Sequence, residues 1–430
     1  MSRSRSASLA AIFAVVFIDL LGFGIVLPLL PRYGKYFDAE VGLGALVAVF
    51  SAMQFIFAPM WGRLSDRIGR RPVLLVGLAG SVVFYGLFGV ATGLDKDATL
   101  LGLTPLAWLF ISRIGAGIAG ATISTAQAYI ADVTGPADRA KGMALIGAAF
   151  GAGFTFGPLL GAAFVSDDLA AAPSPLPGYL AAGLSAVAFV AAVFVLKEPE
   201  RLAATQARAL PVGRWTLLRD PVRMAIFGQI FLTTAAFAMF ESTLALLSRH
   251  LGYSDRDNFY LFAFVGVTLT LAQGLLVRRW AWKLGERRMA PLGIAYLAIG
   301  LVMLAFLESR GAFGNVIFYG ALLFCVIGFA FVTPALQSLL SLTTPADRQG
   351  SVLGLGQSAS ALARIAGPVI GVGLFQRSVP LAYGVAAAVM LAGLAAIFPV
   401  LAMLNRHSRA VAASDEAETA DDVATHAMIE

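Results

Sequence analysis

Four ionisable residues stand inside long apolar stretches of this sequence: Asp19, Arg113, Glu241 and Arg364. A charge at the centre of a membrane helix costs about 2.5–3.5 kcal/mol on insertion scales, so each is expected to face a bundle interior or a water-filled cavity and to do work there. Two carboxyls and two guanidiniums make a set that can exchange protons. Desolvation favours a neutral carboxyl and a nearby guanidinium favours a carboxylate, so a change of surroundings drives the exchange. Asp19 and Glu241 are the expected carriers, with Arg113 and Arg364 biasing them. A competing reading is static, an ion pair such as Asp19 with Arg113 that only holds helices together.

Around these charges the spacing picks out helical faces. Arg113, Gly117, Gly120, Ser124 and Gln127 follow steps of 4, 3, 4 and 3, which puts them on one small, polar face. Phe227, Phe231, Thr234 and Glu241 share another, offering aromatic contact beside a carboxylate, a surface suited to a lipophilic or cationic substrate. Phe23, Gln54, Ser124, Gln127, Phe231, Thr234, Gln273 and Gln337 are the expected cavity lining. For Gln54, Gln273 and Gln337, simple interhelical contacts are an equal alternative.

The elements that position these residues are membrane helices. The chain of 430 residues is 59% hydrophobic and 13% charged, with a mean hydropathy of +0.81, far from the soluble average. Apolar runs of about 20 residues recur. They fall near 9–31, 43–62, 72–92, 106–130, 140–165, 178–197, 222–248, 258–280, 289–307, 315–342, 350–375 and 380–404. Backbone amides have no water partner in hydrocarbon, so these twelve runs should be helices. Arg3 and Arg5 before an apolar stretch imitate a secretory signal, but Asp19, Pro28 and Pro31 argue for a retained first span. With both termini cytoplasmic, the inner segments hold 22 Lys and Arg against 7 outside, so the net charge of +6 encodes orientation, not nucleic-acid binding.

The chain also repeats itself. Thr134 to Arg139 reads TGPADR and Thr343 to Arg348 reads TTPADR, and Gly157-Pro158 returns as Gly367-Pro368. A duplicated unit with an even number of spans gives a parallel repeat about the membrane normal. The expected organisation is all-α: a six-helix bundle over 1–197, a cytoplasmic linker over 198–221, a pseudo-symmetric six-helix bundle over 222–404, and a disordered acidic tail over 405–430.

Between the second and third spans stands Gly62-Arg63-Leu64-Ser65-Asp66-Arg67-Ile68-Gly69-Arg70-Arg71-Pro72. Its glycines permit a tight turn, Asp66 can cap a helix, and its bases can anchor to anionic headgroups. The pattern resembles the signature loop of the major facilitator superfamily, a resemblance that implies a conformational latch built from Gly62, Asp66, Arg67, Gly69, Arg70 and Arg71. The second-half counterpart, Trp282 to Arg288, has Trp282 where the aspartate would fall, so asymmetric latching is expected. Gly147, Gly151, Gly153, Gly157, Pro158 and Gly161 on the fifth span allow close helix approach. The run from Gly153 to Gly161 resembles the antiporter motif of that superfamily and marks helix packing. The first span from Asp19 to Pro31, and Arg113 with Gly117 and Gly120, resemble the drug:proton antiporters, particularly the tetracycline-efflux group. That likeness implies the major facilitator fold and proton transfer through Arg113. One departure bears on substrate: where the best-known tetracycline exporters carry an acid in the third span, this chain has Phe84.

Other signals are set aside. Gly115-Ala116-Gly117-Ile118-Ala119-Gly120 matches a dinucleotide fingerprint but lies in an apolar helix with no strand before it. No Walker A sequence occurs, the three histidines are scattered, and the single Cys325 can form no internal disulfide. The expected protein is not an enzyme and uses no metal or cofactor. It is a proton-coupled, monomeric exporter of a drug-like or amphiphilic small molecule in a bacterial-type cytoplasmic membrane, with lipid and protons as its other partners. An importer or facilitator of a metabolite is the alternative. One charge crossing 100 mV supplies about 2.3 kcal/mol, roughly a fifty-fold gradient.

Overall fold

The computed structural model describes residues 3–26, 33, 36–37, 40–162, 174–199, 220–307 and 312–427. Within these, residues 3–7, 23, 40–44, 47, 154, 158, 161–162, 255–256, 259, 312–313 and 405–427 are described by backbone alone. The described chain is helical almost throughout. In order come α1 (Arg3–Val26), α2 (Glu40–Ile68), α3 (Arg70–Thr92), α4 (Pro105–Gly120), α5 (Ile123–Val133), α6 (Arg139–Ala162) and α7 (Leu176–Val195). The second half of the sequence gives α8 (Pro221–His250), α9 (Asp255–Leu271), α10 (Arg278–Leu284), α11 (Glu286–Ala305), α12 (Ala312–Leu342), α13 (Gln349–Phe375) and α14 (Val379–Ala427).

Among the described residues, ten helical segments are long and apolar enough to cross a membrane. α2 and α6 lie outside that set, although each covers an expected span. Two expected spans are interrupted. The fourth breaks between α4 and α5, where the Thr122 hydroxyl turns back onto the Ala119 carbonyl. The eighth passes through a π-helical segment, Ala272–Val277, between α9 and α10. Local chemistry fixes several helix starts: Thr104 accepts from the Ala107 amide, with Pro105 in the first turn. Asp220 accepts from the Val222 amide ahead of Pro221, and Ser254 and Asp257 form a reciprocal capping box. The linker residues 200–219 lie outside the described residues. α14 runs beyond 404 to Ala427, where the sequence led us to expect a disordered tail; alanine, the strongest helix former, is frequent there.

The internal repeat is visible in the packing. Gly153 and Gly157 on α6 press against α1: a Cβ on Gly157 would meet Gly24 backbone at 2.4 Å, and one on Gly153 would meet the Leu20 carbonyl at 3.0 Å. The same contact recurs between α13 and α8, with Gly367 against Ala235 and Ala238 and Gly371 against Met239. Without a hydrophobic force between helices in lipid, such close backbone approach supplies the attraction. Pro158 and Gly161, also expected to pack there, have side positions outside the described residues. Cys325 is buried against Gly300, whose missing side chain leaves room for the thiol.

The two sequence halves meet along α2 with α13 and along α6 with α9 and its π segment. Gly62 and Gly350 touch backbone to backbone, Gly354 lies on Ala58 and Pro59, Gly147 takes the Gln273 side chain, and Gly151 and Thr155 meet Thr270 and Gly266. These contacts start at the arginine-rich end and reach Thr155, sixteen residues into α6 and so roughly 24 Å along it.

Candidate functional site

Asp19 on α1 and Arg113 on α4 do not stand alone. Two residues of α3, one helical turn apart, lie between them: the Ser81 hydroxyl bonds the Asp19 carboxylate, and Tyr85 interacts electrostatically with both Asp19 and Arg113. Asp19 is half-buried, and its Oδ1 is buried with no hydrogen-bond partner. Arg113 is buried; its Nε donates to the Leu46 carbonyl at 3.4 Å, and its guanidinium lies 4.5 Å from the Phe50 ring centroid, a cation–π distance. Sequence reasoning missed Ser81 and Tyr85. The available signal was two hydroxyls spaced i, i+4 in an apolar run.

In the second half, Arg364 on α13 and the half-buried Glu241 on α8 act on each other electrostatically. Arg364 spends its hydrogen bond elsewhere: Nη2 donates to Gln54 Oε1 of α2 at 3.0 Å, and Gln54 Nε2 reaches toward the Gly120 carbonyl at 3.4 Å. One chain of polar contacts therefore crosses from α13 through α2 to α4.

The expected small, polar face of the fourth span meets α2. A Cβ on Gly117 would meet the Phe50 carbonyl at 2.6 Å, Gly120 faces Phe50 and Gln54, and the Ser124 hydroxyl donates to Ala58 O at 3.2 Å. That face packs against α2, because small residues let α2 approach, and Ser124 is fully buried. Gln127, Gln273 and Gln337 are buried, each with an amide oxygen lacking a partner. Phe231 and Thr234 are half-buried beside Glu241 on α8, and Phe227 is buried. The side chain of Phe23 lies outside the described residues. Phe84 turns into the space left by Gly115, where a Cβ would come within 2.1 Å of its ring.

The loop after α2 has the most complete geometry. Asp66 accepts from the Gly350 amide at 2.9 Å and from the Ser351 amide and hydroxyl at 2.7 and 2.6 Å, so it caps α13 from the other half of the chain. A carboxylate at a helix N-terminus is also favoured by the helix dipole. Arg70 holds Asp66 in place: Nη1 bonds Asp66 at 2.6 Å and Ser65 at 2.8 Å, and Nε bonds Asp132 at 2.8 Å. Gly62 lets α2 lie on α13, since a Cβ there would sit 2.0 Å from the Gly350 carbonyl. Gly69 turns the chain at φ +102°, a conformation side chains resist, and the Arg70 and Arg71 amides beyond it donate to the Glu198 carboxylate at 2.6 and 2.8 Å. Arg71 ties to the Val193 carbonyl of its own half, while Arg67 is exposed in the last turn of α2. A second tie between the halves joins Arg139 to Ser341, whose hydroxyl donates to Gln349 at 2.7 Å. Asp132, Glu198 and Ser351 were not among the residues singled out from sequence. On the other side of the repeat, Trp282 stands exposed with Lys283 over its ring, in place of an aspartate cap.

Comparison with known proteins follows the same lines. The family model described as Major Facilitator Superfamily matches residues 12–368. The class G tetracycline resistance protein of Vibrio anguillarum is 32% identical over 85% of this chain and 89% of its own length. Multidrug resistance protein 2 of Bacillus subtilis (strain 168) is 28% identical over 88% of this chain and 91% of its own. Among solved structures, the human organic anion transporter MFSD10 superposes with a TM-score of 0.75 at 24% identity, covering 91% of this chain and 99% of that one.

Proposed function

The chain belongs to the Major Facilitator Superfamily, and on that premise we propose that it exports a small drug-like or amphiphilic compound in exchange for protons, by alternating access. It is a multi-pass membrane transporter related to tetracycline and multidrug resistance proteins, and not an enzyme. In this reading twelve spans form two six-helix bundles, residues 1–197 and 222–404, and both termini face the cytoplasm of a bacterial-type cell. The arginine-rich end is then the cytoplasmic end, and the contacts of Asp66, Gly62 and Arg139 belong to a conformer closed on that side.

Asp19 carries the proposal. An ionised carboxylate oxygen buried without a donor is costly, and a proton or an approaching cation removes that cost. Ser81 and Tyr85 give the proton neighbours to pass, and Arg113 lies beyond them. Glu241 and Arg364 are the second-half pair, and the hydrogen bond from Arg364 to Gln54 ties that pair to α2. Phe84, packed against α4 where well-known tetracycline exporters carry an acid, favours a drug other than metal-bound tetracycline.

Purified protein in proteoliposomes tests this directly. With an imposed pH gradient, a panel of lipophilic cations and amphiphiles should include at least one that moves against its own gradient. D19N should cut that flux at least tenfold while leaving downhill exchange measurable, and E241Q should show whether the second carboxyl shares the task. Flux unchanged by D19N removes Asp19 from coupling, and uphill movement in the opposite direction replaces export with import.

A further inference from the structure

Contacts between α2 and α13 keep an antiparallel register: Gly62 lies on Gly350, Ala58 on Gly354, and the Ser358 hydroxyl donates to the Phe55 carbonyl at 2.6 Å. The bond from Arg364 to Gln54 departs from that register. Arg364 lies about 21 Å along α13 from Gly350, whereas Gln54 lies about 12 Å along α2 from Gly62. A glutamine side chain spans only part of the difference, so Arg364 leans back toward the arginine-rich end to make the bond. Gln54 is buried and held ready for it, with Nε2 turned to the Gly120 carbonyl and Oε1 left as the acceptor.

Glu241 lies on the other side of Arg364. α8 and α13 run parallel, with Gly367 on Ala235 and Ala238 and Gly371 on Met239, which sets Glu241 roughly 12 Å farther from the arginine-rich end than Arg364. The two charges act on each other, yet neither a hydrogen bond nor an ion pair joins these described side chains. The other charged groups on the elements packed here are engaged elsewhere: Asp66 of α2 and Asp132 of α5 by Arg70, Arg223 of α8 by Asp220, and Arg348 before α13 by Asp347. Arg63 of α2 donates to its own Pro59 carbonyl, and the Tyr383 hydroxyl of α14 accepts from Thr243. The Arg364 guanidinium thus stands between a neutral acceptor on the opposite half and a carboxyl on its own.

We propose that Arg364 is an arm with two positions and that Gln54 is the residue that positions it. With Glu241 protonated the arm stays on Gln54 and holds α2 to α13; when Glu241 gives its proton to water, the arm moves to the carboxylate and releases α2. A guanidinium bonds an ionised carboxylate more strongly than a neutral amide, which sets the direction of the exchange. A proton can shift a conformational equilibrium only by its differential affinity for the two states, and the arm supplies that difference because Gln54 meets Arg364 only when the halves are together. Gln54 is then a coupling contact between the halves and not a wall of the substrate cavity. This deepens the proton exchange proposed above and rests on Glu241 taking part in it.

The test uses the full-length protein in lipid nanodiscs, with spin labels on exposed Arg67 and Arg288, one in each half, and D19N in every sample so that the first-half carboxyl adds no response of its own. In this parent, raising the pH should raise the ratio of open to closed distances by about tenfold, the worth of one hydrogen bond to a charged group. E241Q should hold the closed distance at every pH. Q54M, which keeps the volume and removes the acceptor, should be about tenfold more open at acid pH and flat against pH. S358A removes a bond from the same seam and should shift the ratio without flattening the response. If Q54M melts early, Q54N decides, since its shorter amide draws the acceptor away and should flatten the curve in the same sense. A pH response that survives in Q54M and Q54N while E241Q abolishes it overturns the arm and leaves Glu241 as a proton carrier. A response that survives in E241Q removes Glu241 from coupling and the arm with it, and flattening by S358A reduces Gln54 to one structural contact among several.

Discussion

Replacing Asp66 by asparagine should open the arginine-rich end of the protein. Asp66 accepts hydrogen bonds from the Gly350 amide and from the Ser351 amide and hydroxyl, all between 2.6 and 2.9 Å, and its side chain is only 9% exposed. Hydrogen bonds to a charged group contribute roughly 1.5–3 kcal/mol each, but these share one carboxylate and do not add. Breaking a buried charge pair by removing one partner costs about 3–5 kcal/mol. Asparagine retains one acceptor oxygen and turns an NH2 toward amides that also donate, so we take the lower end, about 3 kcal/mol. That corresponds to roughly a 150-fold change in the ratio of closed to open conformers. Spin labels on exposed Arg67 and Arg288, one in each half, would read it as a growing long-distance population in a double electron–electron resonance trace. Cys325 is fully buried and should not compete for the label. Ser351→Ala, which removes only the hydroxyl bond, should shift the ratio by about tenfold. A change below threefold in D66N would show that the cap does not hold the halves together.

Two further outcomes follow from the same end of the molecule. Gly62→Ala should open it in the same sense, because the new methyl would sit 2.0 Å from the Gly350 carbonyl and α2 must withdraw by about an ångström to reach contact distance; the same label pair reports it, and an unmoved distance distribution contradicts the close approach. Arg70→Met leaves Asp66 and Asp132 facing each other without their shared cation, so thermal melting should show a loss of about 3–5 kcal/mol. Arg70→Lys should fall between, since an ammonium cannot reproduce a guanidinium that bonds Asp132, Asp66 and Ser65 together.

The repeat is faithful in packing and altered in charge. Glycines on α6 and α13 meet α1 and α8 in the same manner, because close backbone contact is what membrane helices use to associate. At the arginine-rich end the two halves diverge: Asp66 and Glu198 serve two helix starts from the first half, while Trp282 stands at the position related to Asp66 in the second. The tie across the halves is correspondingly lopsided, with a carboxylate cap on α13 and an arginine-to-serine contact at α6.

Ten of the twelve expected spans, among the described residues, were legible in sequence because hydrocarbon forces every backbone amide to bond within its own segment, which makes length and apolarity local properties of the chain. The signature loop was legible as a pattern for a related reason: its glycines and charges are adjacent. Its partners were not, since Gly350 lies 284 residues from Asp66 and nothing local distinguishes its amide from others. Ser81 and Tyr85 escaped notice because neutral hydroxyls in an apolar run carry little insertion cost, unlike Asp19 and Arg113. The neighbour of the face carrying Gly117, Gly120 and Ser124 could not be read from sequence, because small and polar residues suit a water cavity and a helix contact equally well. Periodicity tells which residues share a face, but only the packed structure brings α2 against this one, with Phe50 on Gly117 and Gly120 and Ala58 on Ser124.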